Sequence, residues 1–147
     1  MALETVLLAV GPDADDRIEA LADAVRDVAG PAGATVVLGH VFTEEEFADY
    51  TDRMDFDQGG DPDSIARRHR TVKRLRDLLD GSGIDLQVRG AVGPHGETIV
   101  DLAEEVDADM VFVGGRKRRP TGKAVFGSTA QTVLLEAPCP VTFVRAG

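Results

Sequence analysis

Apolar positions along the chain follow two rhythms that alternate. Short runs rich in β-branched residues, ETVLLAV (Glu4 to Val10) and ATVVLGHVF (Ala34 to Phe42), are separated by longer stretches in which apolar residues recur every three or four positions. The short runs lack polar alternation, as expected of strands covered on both faces in a parallel sheet. From Asp13 to Ala29, the residues Ile18, Leu21, Ala22, Val25 and Val28 share one helical face, with Asp13, Asp15 and Asp16 near a first turn that favours carboxylates and Gly30-Pro31 beyond the end. SIARRHRTVKRLRDLLDGSG predicts a second helix stopped by Gly81 and Gly83, and DLQVRGAV a third strand from Asp85 to Val92. HGETIVDLAEEV, DMVFVGG, STAQTVLLEA and PVTFVRA continue as helix, strand, helix and strand. Strands interleaved with helices imply right-handed βαβ crossovers, an α/β fold with one parallel sheet and helices on both faces.

One segment interrupts the alternation. TEEEFADYTDRMDFDQGGDPD, Thr43 to Asp63, reads as an acidic solvated loop with Phe47, Tyr50, Met54 and Phe56 partly packed, and so long a connection is typically a lid, a binding loop or an insertion. Within it, Asp55, Asp57 and Gly60 fall on three positions of a calcium-binding EF-hand loop. The twelfth position is Ala66 instead of glutamate and the fifth is Gly59, so the pattern argues against calcium.

The 147 residues suit a single domain, 1–147, that buries about 68–70% of its unfolded surface and needs no metal or disulfide staple. The single cysteine, Cys139, excludes an intramolecular disulfide and predicts a buried, inert thiol in a cytoplasmic protein. MALETVLLAV has neither a basic leader region nor an apolar run of membrane-spanning length, so no signal peptide or membrane span is expected. Asp (17) outnumbers Glu (9), Arg (13) outnumbers Lys (3), and the net charge is −10. Such a surface resembles those of halophilic proteins, whose self-repulsion is screened when ~1 M salt shortens the Debye length to about 3 Å. It also argues against nucleic acid as a partner, which calls for a basic face.

Catalytic constellations are sparse. His40, His69 and His95 fall on three elements without metal-ligand spacing; His69, in ARRHR, reads as a surface residue of the second helix, whereas His40 and His95 lie near carboxyl ends of strands, where α/β proteins bind ligands. No Ser-His-Asp or Cys-His arrangement stands out, so catalytic residues are expected to be none. Against the acidic background, VGGRKRRPTGKAVFGSTAQ (Val113 to Gln131) gathers five cations and four glycines. A Walker A loop fails there twice, because Lys117 stands at its first glycine and Ala124 at its hydroxyl; AVGPDADD likewise lacks the spaced glycines of a dinucleotide fingerprint. What remains is Gly114 ending a strand and Gly127-Ser128-Thr129 opening a helix, whose unpaired amides and hydroxyls form a general anion site.

These residues and the element order resemble the universal stress protein family over essentially the whole chain. Its motif runs glycine, two residues, glycine, nine residues, then Gly-Ser or Gly-Thr; here it reads Gly114, Gly115-Arg116, Lys117, nine residues and Gly127-Ser128, followed by the family-like AQTVLLEAPCPVTFV. The resemblance implies a doubly wound, Rossmann-like sheet of five parallel strands in the order 3-2-1-4-5. It also implies a homodimer joined through the last strand, Val141 to Arg145. One branch of the family binds ATP at the carboxyl ends of the strands, and another binds no nucleotide. Carried over by position, the site would comprise Val41 against adenine, Gly114, Gly127, Ser128 and Thr129 against phosphate and ribose, and Arg116 and Lys117 offsetting phosphate charge. Two positions depart from the pattern: Gly11 replaces an aspartate after the first strand, leaving Asp13 as its substitute, and Lys117 replaces the second glycine. A regulatory protein that binds ATP or AMP, with Mg as a candidate companion, is the leading expectation; a nucleotide-free dimeric interaction protein is the alternative. A slow ATPase lacks a recognisable general base.

Overall fold

A computed structural model describes residues 3–11, 18–53, 61–115 and 128–145. Its elements run β1 (Thr5–Val10), α1 (Ile18–Ala32), β2 (Thr35–Phe42), α2 (Glu44–Arg53), α3 (Pro62–Arg68), α4 (Arg70–Leu79), β3 (Leu86–Val92), α5 (His95–Glu105), β4 (Met110–Gly115), α6 (Ser128–Glu136) and β5 (Val141–Arg145). The five strands are parallel in the order β3-β2-β1-β4-β5.

The apolar runs divide between two cores because successive side chains on a strand point to opposite faces. Val6, Leu8 and Val10 of β1, with Val36, Leu38 and Phe42 of β2, pack against Leu21 and Val25 of α1 and Val72 and Leu75 of α4. Leu7 and Ala9, with Val37 and Val41, face Ile99 and Leu102 of α5 and Val133 of α6. Each fully buried Leu or Val contributes about 1.5–3 kcal/mol. Double coverage is therefore what makes β1 and β2 apolar at nearly every position.

Three expectations require correction. The segment after β2 opens with a helix and not a loop. Thr43 Oγ1 accepts from the Glu46 N–H at 3.1 Å while Glu46 Oε1 accepts from the Thr43 N–H at 2.8 Å, a reciprocal cap that starts α2. The calcium-like residues Asp55, Asp57, Gly59 and Gly60, with Met54 and Phe56, lie outside the described residues. Secondly, the second predicted helix is two helices that meet at His69, whose backbone is extended at ψ 133°. Thirdly, α1 continues past Gly30-Pro31 to Ala32, and the Gly33 and Ala34 amides close its end on the Gly30 and Ala29 carbonyls.

The outer edge of β3 is covered at Gly90. Asp61 caps α3 by accepting from Ser64 N–H at 2.9 Å, with Pro62 in the first turn. Asp63 then turns onto the strand and accepts the Gly90 N–H at 2.7 Å. A Cβ at Gly90 would stand 2.0 Å from the Pro62 carbonyl oxygen, so only glycine permits this approach. At this position an edge amide that would otherwise be open to another chain is satisfied within the fold.

Candidate functional site at the carboxyl ends of the strands

Between β1 and β4 the strand order reverses direction, and in open α/β sheets ligands sit outside the carboxyl ends at such a point. Ala9 pairs with Val113, which brings the next residues, Val10 and Gly114, to the same rim. Gly11 follows β1, and among the described residues nothing lies within 4 Å of the place where a side chain would begin. Gly114 also pairs with Val144 of β5. Every parallel strand ends at this rim, and the amino ends of α5 and α6 therefore open onto it.

Of the expected site residues, Val41, Gly114, Ser128 and Thr129 lie among the described residues. Val41 stands one residue past the last β1–β2 pair, Val10 with His40, and its side chain is buried in the α5–α6 core at 4% exposure. It therefore offers the rim main chain and not a free apolar face. Ser128 is exposed as the first residue of α6 and Thr129 is half-buried behind it. The helix is set firmly on its neighbour, because a Cβ at Gly96 of α5 would meet Thr132 Cβ at 2.7 Å. Amide groups at such a helix start carry partial positive charge. Arg116, Lys117 and Gly127, and the substitute Asp13, lie outside the described residues.

His40 and His95 lie at carboxyl ends of strands, as the sequence implies, whereas His69 does not lie on the surface. His69 is buried at 8% exposure instead of lying on the surface, because the break between α3 and α4 turns its ring inward, where its Nδ1 accepts the Thr71 N–H at 3.2 Å. His40, 2% exposed, donates from Nδ1 to the Val10 carbonyl oxygen at 2.8 Å and so ties β2 to the end of β1. Burial, then the neighbouring His69, pushes the His40 imidazole down to about 4, outweighing the Val10 hydrogen bond. His95 donates from Nε2 to Glu46 Oε1 at 2.8 Å, joining α5 to α2. Burial works to raise the Glu46 carboxyl, but hydrogen bonds from the Thr43 amide and His95 prevail and hold it below the usual glutamate range. The Thr43-x-x-Glu46 spacing was the signal that would have revealed this helix and its partner. Cys139 is half-buried, and burial, followed by the Asp109 charge, raises its thiol and keeps it protonated.

Among the described residues there is no cluster of three or more His, Cys, Asp or Glu placed to hold a metal, and no helix is long and apolar enough to cross a membrane. A separate groove of about 840 Å³ runs beside β3 and α4, lined by both charge signs, among them Arg67, Lys73, Arg76, Asp77 and Asp85.

A family model described as the universal stress protein family matches residues 2–145. The chain belongs to the universal stress protein family. A universal stress protein of Mycolicibacterium smegmatis is 38% identical over 84 residues, 56% of this chain and just under two thirds, 65%, of that relative. One of Thermus aquaticus is 28% identical over 144 residues, 97% of this chain and 98% of the other. Among solved structures, a universal stress protein in complex with cAMP superposes with a TM-score of 0.68 at 21% identity, covering both chains fully. The Archaeoglobus fulgidus universal stress protein in complex with dAMP gives 0.61 at 21% identity over 98% of this chain and 99% of that one. An Arabidopsis thaliana family protein with AMP bound gives 0.65 at 14% identity, over 98% and 92%. At these identities the structures establish a shared fold.

Proposed function

We propose that this universal stress protein binds an adenine nucleotide at the rim between β1 and β4, with phosphate over the amino end of α6. The observation that carries the reading is the placement of Ser128 and Thr129 at a helix start beside the sheet's point of reversal, where amides and hydroxyls suit an anion. The nucleotides named in the complexes of three structural neighbours, cAMP, dAMP and AMP, support the adenine part. In this reading the Val41 main chain meets adenine, Gly114 allows close approach, Gly127, Ser128 and Thr129 hold phosphate and ribose, and Arg116 and Lys117 offset the phosphate charge, accommodating ATP with or without Mg. If the motif's second glycine position requires positive φ, a non-glycine residue there costs roughly 1–2 kcal/mol, which a charge-assisted hydrogen bond from Lys117, worth about 1.5–3 kcal/mol, would offset.

A nucleotide-free dimeric interaction protein is the second reading, favoured by Gly11, which brings no side chain to the β1 exit where the family pattern has an aspartate. Mass spectrometry of small molecules released on denaturing freshly purified protein separates the two. The first reading expects AMP or ATP near one equivalent, lost in Ser128→Asp. Folded wild-type protein that releases no nucleotide and takes none up from millimolar AMP or ATP supports the second.

A further inference from the structure

Three histidines and a glutamate from separate elements meet above the carboxyl end of β2. The rings of His40, on β2, and His69, between α3 and α4, stack with centroids 4.1 Å apart and planes tilted by 31°. Phe42 packs at 4.5 Å from the His40 ring and Tyr50 of α2 at 5.4 Å from the His69 ring. The titratable groups brought around the pair are Glu46 and Tyr50 from α2 and His95 from α5. The exposed Arg68 and Arg70 flank the junction.

The hydrogen bonds fix where each resting proton sits. A carbonyl oxygen only accepts, so His40 carries its proton on Nδ1, facing Val10. An amide N–H only donates, so His69 Nδ1 is bare and its proton is on Nε2. A second proton on His69 has one place to go, the atom that caps α4, and there it would confront the Thr71 N–H. A second proton on His40 goes to Nε2 and places a buried cation against its stacked neighbour, while Glu46 is already engaged by His95.

The element resting on this pair is weakly held. No residue of α2 is fully buried; the helix docks through Phe47 and Tyr50, 5.8 and 5.6 Å from the Phe42 ring, and through the Glu46–His95 contact. Segments with so few buried contacts open at lower free energy than the sheet beneath them.

We propose that the stacked His40–His69 pair is an acid-responsive clasp: proton uptake by the pair releases the α3–α4 junction and α2 from the end of β2 while the sheet stays folded. The depressed His40 titration agrees in direction, since the closed state resists the proton that the open state accepts.

Hydrogen exchange of the full-length protein between pH 7.5 and 4.5, corrected for intrinsic rates, tests the clasp. Protection of 44–53 and of the junction around His69 should fall by roughly tenfold for each pH unit below about 6, as one linked proton requires, while β1, β4 and α5 hold. Tyr50 is the single tyrosine in a chain without tryptophan, so its emission should follow the same transition. His69→Asn keeps a capping acceptor and His40→Asn keeps a donor to Val10, and neither replacement titrates; each that folds should weaken the response, and the double variant should lose it. His95→Gln, which retains a donor to Glu46, should keep it. Protection of α2 that does not change with pH, an undiminished response in the asparagine variants, or loss of the response in His95→Gln would each overturn the proposal.

Discussion

Replacing Gly90 by alanine tests whether α3 is seated on the sheet edge as described. The added Cβ would lie 2.0 Å from the Pro62 carbonyl oxygen and 2.4 Å from its carbon, against ordinary contacts about 1 Å or more longer. The obstruction is backbone, so no side-chain rotation relieves it and the first turn of α3 has to retreat. Retreat breaks the 2.7 Å bond from Gly90 N–H to Asp63, a hydrogen bond to a charged acceptor worth about 1.5–3 kcal/mol. Overpacking of a close contact typically costs about 1–3 kcal/mol, and the two terms overlap because one movement relieves both. The expected loss is about 3 kcal/mol, which for a domain of this size lowers Tm by roughly 6–12 °C. Urea and thermal unfolding of wild type and Gly90→Ala measure it. A variant within about 0.5 kcal/mol of wild type would refute the stated seating of α3.

Further expectations concern protons, salt and assembly. His40 is held at about 4 when folded and returns to 6.5 when unfolded, so its contribution is unchanged above pH 7. As pH falls below 6.5 the unfolded chain takes the proton first, and stability declines by about 3 kcal/mol by pH 4; the difference between wild type and His40→Asn across that window isolates the effect, and a pH-independent difference contradicts it. With a net charge of −10, the thermal midpoint should rise from dilute to molar potassium chloride, and a constant midpoint would remove the case for a salt-dependent fold. In the described sheet β5 is the outer strand, paired with β4, and Val141, Thr142 and Phe143 are half-exposed. Light scattering in high salt should therefore find a dimer that a folded Phe143→Pro variant cannot form, and a wild-type monomer at micromolar concentration would exclude pairing through this edge.

The parts of the fold legible in the sequence are those where one residue pattern has one physical reading. ETVLLAV and ATVVLGHVF are apolar at consecutive positions because both faces of β1 and β2 are covered, and their interleaving with helical stripes leads to the parallel order. The turn at His69 was hidden because Ile65, Ala66, Val72, Leu75 and Leu79 read as one continuous stripe. The break depends on an imidazole that caps Thr71 locally and is stacked on His40 by the tertiary fold, without a Gly or Pro marker. The helix α2 was legible in principle, since Thr43 and Glu46 have the spacing of a reciprocal cap, but a low apolar content masked it. At the site, Gly114 and Ser128 reach one rim because a parallel sheet sends every strand end and following helix start to the same side. The burial of the Val41 side chain depends on α5 and α6 packing above it, and no local pattern encodes that.

Calorimetric titration of AMP and Mg-ATP into the folded protein, in dilute buffer and again in molar potassium chloride, tests nucleotide binding at the α6 rim most directly. The whole-molecule charge repels a polyanion at long range, and salt screens that repulsion far more than contacts of a few ångström. Binding should therefore be present, hold or strengthen as salt rises, and disappear in Ser128→Asp, whose carboxylate would face the phosphate. No heat at either salt level in folded wild-type protein, or binding unaffected by Ser128→Asp, would contradict a phosphate site at the amino end of α6.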